Sequence, residues 1–592
     1  MDTVDSGNQQ VSEMRDEHPL NENIEDVKEE EEKEAEKIID PYFYTKRDEF
    51  TSEIFKIEIG NLPPFIRYGP LKKLLGTKLK LNPHKIKTIG NSPLYSFVTF
   101  KCEEDREKAL NVLQGYEWKG RKLQVKKANP MADPLVKKRK QGNAEDSPAV
   151  KKARMEGSDI PISIQIKNAV HPLWNLPYEE QLKSKMNQIS QFLIKLCVRI
   201  EKTNTYLRHW SQKQKKLYEG MCCELLPIKP SPVTSAYRNK CEFTVGKHLD
   251  TGEKTVGFRL NCYKSGSMSV AEPDECINIP ESMLKAVKSF QDYIRSSDKD
   301  VFNPETHEGY WRQLTVRTGK TDVLLVVVMH PQKLEEEELQ KEKEALVEYF
   351  QNGLGKMCGV TSLYFQSFVK RESNKDLIMT HLWGKKYIEE NVLGLKFQIN
   401  PEAFFQINTS GAEVLYSTIA ELAEIDNETT ILDICCGTGT IGLCLAKIAP
   451  KVIGIEMCSQ AIENAKSNAQ INNINNVEFV CGKAEDFIQT VLQKADTENI
   501  VAIVDPPRAG LNSKVLKFIR ANEKLKKLIY IACNPDGAIQ NFVDLCRPVS
   551  NNYRGESFVP TRAVVVDLFP HTNHCELVIV FERYSKTKEN NA

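Results

Sequence analysis

Four short stretches in the last third of the chain bring together side chains able to do covalent and acid–base chemistry. "YIACNP" (530–535) ends an apolar run on Cys533, and "LDICCGTGTIGL" (432–443) puts Asp433 just ahead of a turn containing Gly437 and Gly439. "DPPRAGL" (505–511) opens on Asp505, while "HCELVIVFER" (574–583) opens on His574 with Glu576 two residues on. A thiolate is a soft nucleophile and a carboxylate or imidazole can take up a proton, so the set holds both partners that nucleophilic catalysis needs. A free thiol is mostly un-ionised at neutral pH, so the site is expected either to lower the Cys533 pKa or to set a base beside it. In isolation Cys533 reads as a small buried hydrophobe; its place one strand after DPPR reverses that reading.

The elements that position these residues follow a regular α/β rhythm after about residue 400. Residues 429–449 read as an apolar strand, a glycine turn and a helix, and "KVIGIEM" (451–457) is a further strand ending at Glu456. In a doubly wound sheet, ligands bind at the carboxyl ends of the strands. There Gly437 and Gly439 let the backbone approach a ligand closely, and Glu456 suits the hydroxyls of a ribose. The turn reads D-x-x-C-G-x-G-T rather than the dinucleotide pattern G-x-G-x-x-G. A carboxylate beside it suits a cationic ligand and repels phosphate. S-adenosylmethionine carries an ammonium and a sulfonium whereas NAD carries two phosphates, so methyl transfer is favoured over hydride transfer. Amine methyltransferases follow [ND]-P-P with an aromatic; Arg508 stands there instead, which argues against an exocyclic amine as acceptor.

In order along the chain, "NPEAFFQINTSGAEVLY" (400–416), "LDICCGTGTIGL", "DPPRAGL", "YIACNP" and "HCELVIVFER" resemble the RNA uracil-5 methyltransferase family, and the resemblance covers roughly residues 230–585. It implies a Rossmann-like class I methyltransferase domain using S-adenosyl-L-methionine. By the resemblance Gln406, Glu456 and Asp505 bind the cofactor with Gly437 in the turn beside it, Cys533 is the nucleophile and Glu576 the base. His574 is the rival base, since two residues apart on one strand face the same side. Phe404 or Phe405 stacks on the target base or a neighbour, with core packing an equal alternative for either. The expected substrate is RNA, a tRNA T-loop uridine on resemblance alone, in an unpaired or flipped-out state that exposes C6. Two other readings are RNA cytosine-5 methylation and an RNA-binding chaperone or scaffold with an inactive methyltransferase domain. The intact Cys533, Glu576 and Glu456 argue against the latter.

Upstream, residues 49–128 alternate in the order βαββαβ and resemble an RNA recognition motif. Tyr95 and Phe97 hold its base-stacking positions, with Glu58 where an aromatic is usual. Residues 1–48 form an acidic tail expected to be disordered. Residues 129–175 form a basic linker whose "KKRK" (137–140) and "KKAR" (151–154) read as a two-part nuclear import signal or as phosphate contacts. Residues 176–229 form a helical connector, with one long amphipathic helix expected over 178–218. A central α+β domain spans 230–400, with one exposed charged helix at 334–350, and the methyltransferase domain spans 401–592.

Composition narrows the class. The 592 residues carry 81 basic and 81 acidic side chains, so bulk charge names no partner. Without a signal segment or a run of eighteen apolar residues, neither secretion nor membrane insertion is expected, and a cytosolic and/or nuclear location is. None of the 16 cysteines falls in a C-x-x-C pair, so no zinc or iron–sulfur cage and no metal are expected. The cysteine cluster that holds an iron–sulfur centre in some bacterial relatives is missing. No obligate protein partner is evident.

Overall fold

The computed structural model describes residues 55–128 and 160–584, apart from 64–67, 89–94, 101, 261–268, 305, 369–378, 496 and 498. The acidic tail and both basic clusters lie outside the described residues. The chain divides into two compact units, Met1–Asp159 and Ile160–Ala592.

In the first unit a four-stranded antiparallel sheet runs Lys85–Thr88, Tyr95–Thr99, Lys56–Gly60, Gln124–Lys127. Alternation along the strands sends Ile57, Ile59 and Val98 to one face, where Leu71, Leu74, Leu75, Ala109 and Leu113 cover them. Glu58 and Phe97 are cross-strand partners on the other face, with Tyr95 edge-on to Phe97 at 5.6 Å. Glu58 is ion-paired with Lys126 at 3.1 Å. Ahead of the last strand the chain folds back on itself: Arg121–Lys122 pairs with Glu117–Trp118, and Gln124–Lys127 joins the sheet.

In the second unit three sequence expectations need correction. Residues 162–170, assigned to the basic linker, form a helix whose Ile166 enters the central core. The helix expected over 178–218 stops at Thr203 and resumes at Arg208. Asn204 breaks it: its side chain accepts from Tyr206 N at 3.1 Å and donates to the Cys546 carbonyl at 2.8 Å, a tertiary bond no helical period encodes. Among the described residues the central domain holds two α-helices, since Glu281–Ser296 joins Glu336–Gln351 on one face of a seven-stranded sheet. The second of these is not merely a solvated rod, for Leu339, Leu346 and Phe350 are buried under it.

The catalytic-domain core also extends beyond residues 401–592. The hairpin Ile388–Val392/Leu395–Ile399 and the helix Tyr178–Thr203 both pack into it. Its eight strands run Val477–Cys481, Lys451–Glu456, Thr429–Ile434, Asn499–Val504, Leu525–Ala532, Glu576–Arg583, Phe558–Val566, Glu224–Leu225. The first five are parallel and Glu576–Arg583 is antiparallel to its neighbours. Strand order reverses between Thr429–Ile434 and Asn499–Val504, the switch point at which such sheets bind ligands. Because Glu576 opens an antiparallel strand, it starts at the edge where the parallel strands end.

Candidate active site

The turn after Thr429–Ile434 is held by its neighbour strand, with Cys435 N and Cys436 N donating to the Ile455 carbonyl at 2.9 and 3.1 Å. Gly437 sits in the left-handed region at φ 55° with open space where a Cβ would point. Glu456 reaches back across the turn, its Oε2 accepting from Gly437 N at 3.1 Å and its Oε1 from Met457 N and Cys458 N at 2.8 and 3.0 Å. Asp433 is fully buried; Oδ2 accepts from Gly442 N at 3.0 Å, and Oδ1 meets no donor among the described residues. Burial first, then the charges of Asp505 and Glu456, pushes the Asp433 carboxyl up to about 7, and burial lifts Asp505 to about 7.

One strand further, Cys533 is the residue after Ala532, and Ala532 pairs with Leu577, so Cys533 and Glu576 meet at the edge. Asn534 caps the following helix Pro535–Leu545, its side chain accepting from Gly537 N at 3.3 Å. Gly537 is required there, because a Cβ would stand 2.6 Å from the Arg508 carbonyl. The Arg508 guanidinium lies close enough to Cys533 to favour its thiolate, and Glu576 lies close enough to oppose it electrostatically. The expectation of a lowered thiol pKa does not hold: burial raises it, Glu576 and Asp505 raise it further, and only Arg508 pulls it down. The alternative, a base at hand, fits the geometry. Glu576 is buried with Oε2 unpartnered among the described residues, and burial reinforced by Asp505 holds its carboxyl well above the usual range.

His574 is not on that strand, which begins at Glu576. It sits in the preceding loop, edge-on to Phe569 at 6.4 Å, so the shared-face argument for it fails. The neighbours Phe404 and Phe405 separate sharply: Phe405 is 3% exposed and packs on Phe397, while Phe404 is 69% exposed. Gln406 follows, buried, its carbonyl accepting from Asn239 Nδ2 at 2.9 Å, and Arg317 Nη2 donates to the Ala403 carbonyl at 2.9 Å. Two positions lay outside the sequence reading. Asn541 pins the 505–511 loop, its Oδ1 accepting from Leu511 N at 2.6 Å and Tyr530 OH at 2.9 Å while its Nδ2 donates to Leu511 O at 3.2 Å. Tyr416 is buried within the field of Asp505 and Asp433. A buried Asn inside an amphipathic helix is the one clue that could have drawn attention to Asn541.

Residues 311–584 match the family model "tRNA (Uracil-5-)-methyltransferase", and residues 57–124 match the RNA recognition motif. The chain is 46% identical to mouse tRNA (uracil-5-)-methyltransferase homolog A, over 92% of this chain and 86% of that protein. This chain belongs to the tRNA (uracil-5-)-methyltransferase family. The human homolog A is 45% identical over 92% of this chain and 85% of its own length. A Pyrococcus abyssi tRNA (uracil-54, C5)-methyltransferase solved with S-adenosyl-L-homocysteine is 25% identical, covering 63% of this chain and 82% of that one at a TM-score of 0.46.

S-adenosylmethionine is the cofactor of this methyltransferase family. The switch-point residues fit it: three carboxylates, one with a buried oxygen lacking a donor, face a turn with room above Gly437. Such a set favours an ammonium, a sulfonium and ribose hydroxyls over phosphates. Among the described residues no group of three or more His, Cys, Asp and Glu is arranged to hold a metal, and no helix is long and apolar enough to cross a membrane.

Proposed function

We propose that the protein methylates C5 of uridine in tRNA, at a T-loop uridine, through a covalent bond between Cys533 and uracil C6. The observation that carries the reading is the convergence of Cys533, Arg508 and Glu576 at the strand edge beside the acidic switch-point pocket. Gln406, Glu456 and Asp505 hold the cofactor, with Asp433 behind them. S-adenosylmethionine supplies the methyl group as an electrophile on sulfur.

The chain's own residues supply the rest. Uracil C5 is a poor nucleophile, so Cys533 passes its thiol proton to solvent, Sγ adds to C6 and the C5–C6 π electrons move toward O4. The positive charge of Arg508 beside Cys533 stabilises the thiolate that attacks. After C5 has gained its methyl group it still carries its hydrogen. The Glu576 carboxylate takes that proton, the C5–C6 double bond re-forms, and the S–C6 bond breaks to release Cys533. The raised Glu576 pKa makes its carboxylate a stronger base for this step. The exposed ring of Phe404 suits stacking on a base that has left its helix. The RNA recognition motif, with Tyr95 and Phe97 on its open face, binds a further single-stranded part of the RNA.

An unmodified tRNA transcript with labelled cofactor tests the substrate, and methyl incorporation that survives replacement of the T-loop uridine rejects that site. RNA bearing 5-fluorouridine tests the mechanism, since fluorine at C5 cannot leave as a cation and the adduct persists. Cys533→Ala abolishes the adduct under this reading; loss through a different cysteine instead refutes it. Glu576→Gln methylates but stalls with RNA attached.

A further inference from the structure

The loop Asp567–Cys575, which leads directly into Glu576, is tied down by elements outside the catalytic strands. On the helix Tyr178–Thr203, Tyr178, Gln181 and Lys185 share one face, and all three reach this loop. Lys185 Nζ donates to Asp567 Oδ1 at 2.7 Å and to the Phe569 carbonyl at 3.0 Å. Tyr178 OH donates to Asp567 Oδ2 at 2.9 Å and accepts from Ser231 N at 2.9 Å. Gln181 Oε1 accepts from His571 N at 2.7 Å, with Nε2 3.0 Å from His571 Nδ1. Tyr237 OH and Asn408 Nδ2 donate to the Pro570 and Leu568 carbonyls at 2.9 and 3.0 Å. The loop is thus gripped along its first half by hydrogen bonds and by one ion pair whose side chains are 1% and 0% exposed.

A buried ion pair is a poor stability device, because desolvating two charges costs about as much as their attraction returns unless every remaining bond is made. Here both Asp567 oxygens are used, and the lysine spends its second bond on the same loop. The register gives the investment a direction. Val566 is the cross-strand partner of Glu576, so Asp567 is the residue next to that partner, and a displacement of Asp567 is passed to Glu576 across one rung of the ladder. Lys185 lies close enough to Cys575 and His574 to act on both electrostatically, which places the ammonium just behind the end of the strand.

We propose that Lys185, Asp567 and Tyr178 are positioning residues for the proton-abstraction step, a brace that fixes the Asp567–Cys575 loop and thereby the aim of the Glu576 carboxyl at the C5 hydrogen. In this role they act through the loop and Glu576 rather than on RNA or cofactor. In the step they serve, the C5–H bond breaks, its proton goes to Glu576, the C5–C6 double bond forms and the S–C6 bond breaks. The inference rests on the assignment of Glu576 as base and Cys533 as nucleophile.

A brace aimed at one step separates two rates that a merely structural role would lower together. In full-length protein, formation of the 5-fluorouridine adduct reports attack by Cys533, and release of methylated RNA from a uridine transcript in single turnover reports abstraction and elimination. For Lys185→Met the expected outcome is RNA release slowed about a hundredfold, with the covalent complex accumulating on ordinary uridine, while adduct formation stays within about twofold of the parent. Tyr178→Phe removes two hydrogen bonds, the one to Asp567 Oδ2 and the one from Ser231 N, leaves the Lys185–Asp567 ion pair in place, and keeps the test decisive should Lys185→Met fail to fold. Its release rate is expected to fall about tenfold with the same split. Adduct formation and release slowing in parallel overturns the inference, as does a folded Tyr178→Phe protein with both rates unchanged. A parent enzyme that forms no fluorouridine adduct overturns the covalent reading itself, and the brace with it.

Discussion

Asn541 ties the helix behind Cys533 to the loop that carries Asp505 and Arg508, so its removal should weaken cofactor binding and attack together. Asn541→Ala deletes three hydrogen bonds, two to the Leu511 backbone at 2.6 and 3.2 Å and one from Tyr530 OH at 2.9 Å. At about 1 kcal/mol net for each, the loss of stability comes to roughly 3 kcal/mol. Tyr530→Phe removes only the last of the three, and Leu511 N still satisfies Asn541 Oδ1, so about 1 kcal/mol is expected. Because the two residues share one acceptor, the double variant should fall short of the sum by about 0.5 kcal/mol or more. Denaturant unfolding followed by a probe in the catalytic domain measures these losses, and calorimetric titration with S-adenosylmethionine measures the weakened affinity. If Asn541→Ala keeps both stability and affinity within about 0.5 kcal/mol of the parent, the loop is held by something else and the reasoning fails.

Three further outcomes are expected. The raised carboxyls of Asp433 and Asp505, both at about 7, are largely protonated below that pH and must ionise to hold a cationic ligand, so S-adenosylmethionine affinity should rise as pH climbs through 7. Titration in buffers of different ionisation enthalpy should then detect proton release, and its absence at pH 6.5 would mean the carboxyls are already ionised. The neighbouring phenylalanines should behave oppositely: Phe405→Ala should cost about 3–5 kcal/mol of stability, whereas Phe404→Ala should leave stability within about 0.5 kcal/mol and raise KM for tRNA, a split read by thermal unfolding and steady-state kinetics. Neutralising both basic clusters, 137–140 and 151–154, should confine a fluorescent fusion to the cytosol if they form the proposed import signal, and unchanged nuclear signal would exclude that role.

How much of this was legible depended on whether a feature is set locally or across the chain. The succession of strands and the glycine turn follow from period and composition, so the strand ends that carry Asp433, Glu456 and Asp505 are legible in the sequence, whereas the order in which the strands pair, and with it the switch point, is not. The meeting of Cys533 with Glu576 was foreseen by family resemblance; the antiparallel register that produces it is a pairing of distant segments. Phe404 and Phe405 could not be told apart, because adjacent residues with the same side chain differ only in the direction the backbone turns. The break at Asn204 depends on the Cys546 carbonyl, and the anchoring of the 505–511 loop depends on Asn541, and neither partner is near in sequence. The raised thiol of Cys533 is likewise a sum over Glu576, Asp505 and Arg508 that only their arrangement in space determines. The helix Glu281–Ser296 is a different case, since Met283, Ala286, Val287, Phe290 and Ile294 carry the helical period openly.

The outermost strand of the catalytic sheet, Glu224–Leu225, pairs with Arg562 and Ala563, and the whole central domain is spelled out between them. On the ribosome this orders events. The first unit and the central sheet each emerge with all their strands and can close early, whereas the segment 178–225 must wait, apolar face uncovered, until the last strands leave the exit tunnel. Nascent chains of this protein are therefore most exposed to chaperones and to aggregation late in synthesis, and the catalytic half is the last part to mature.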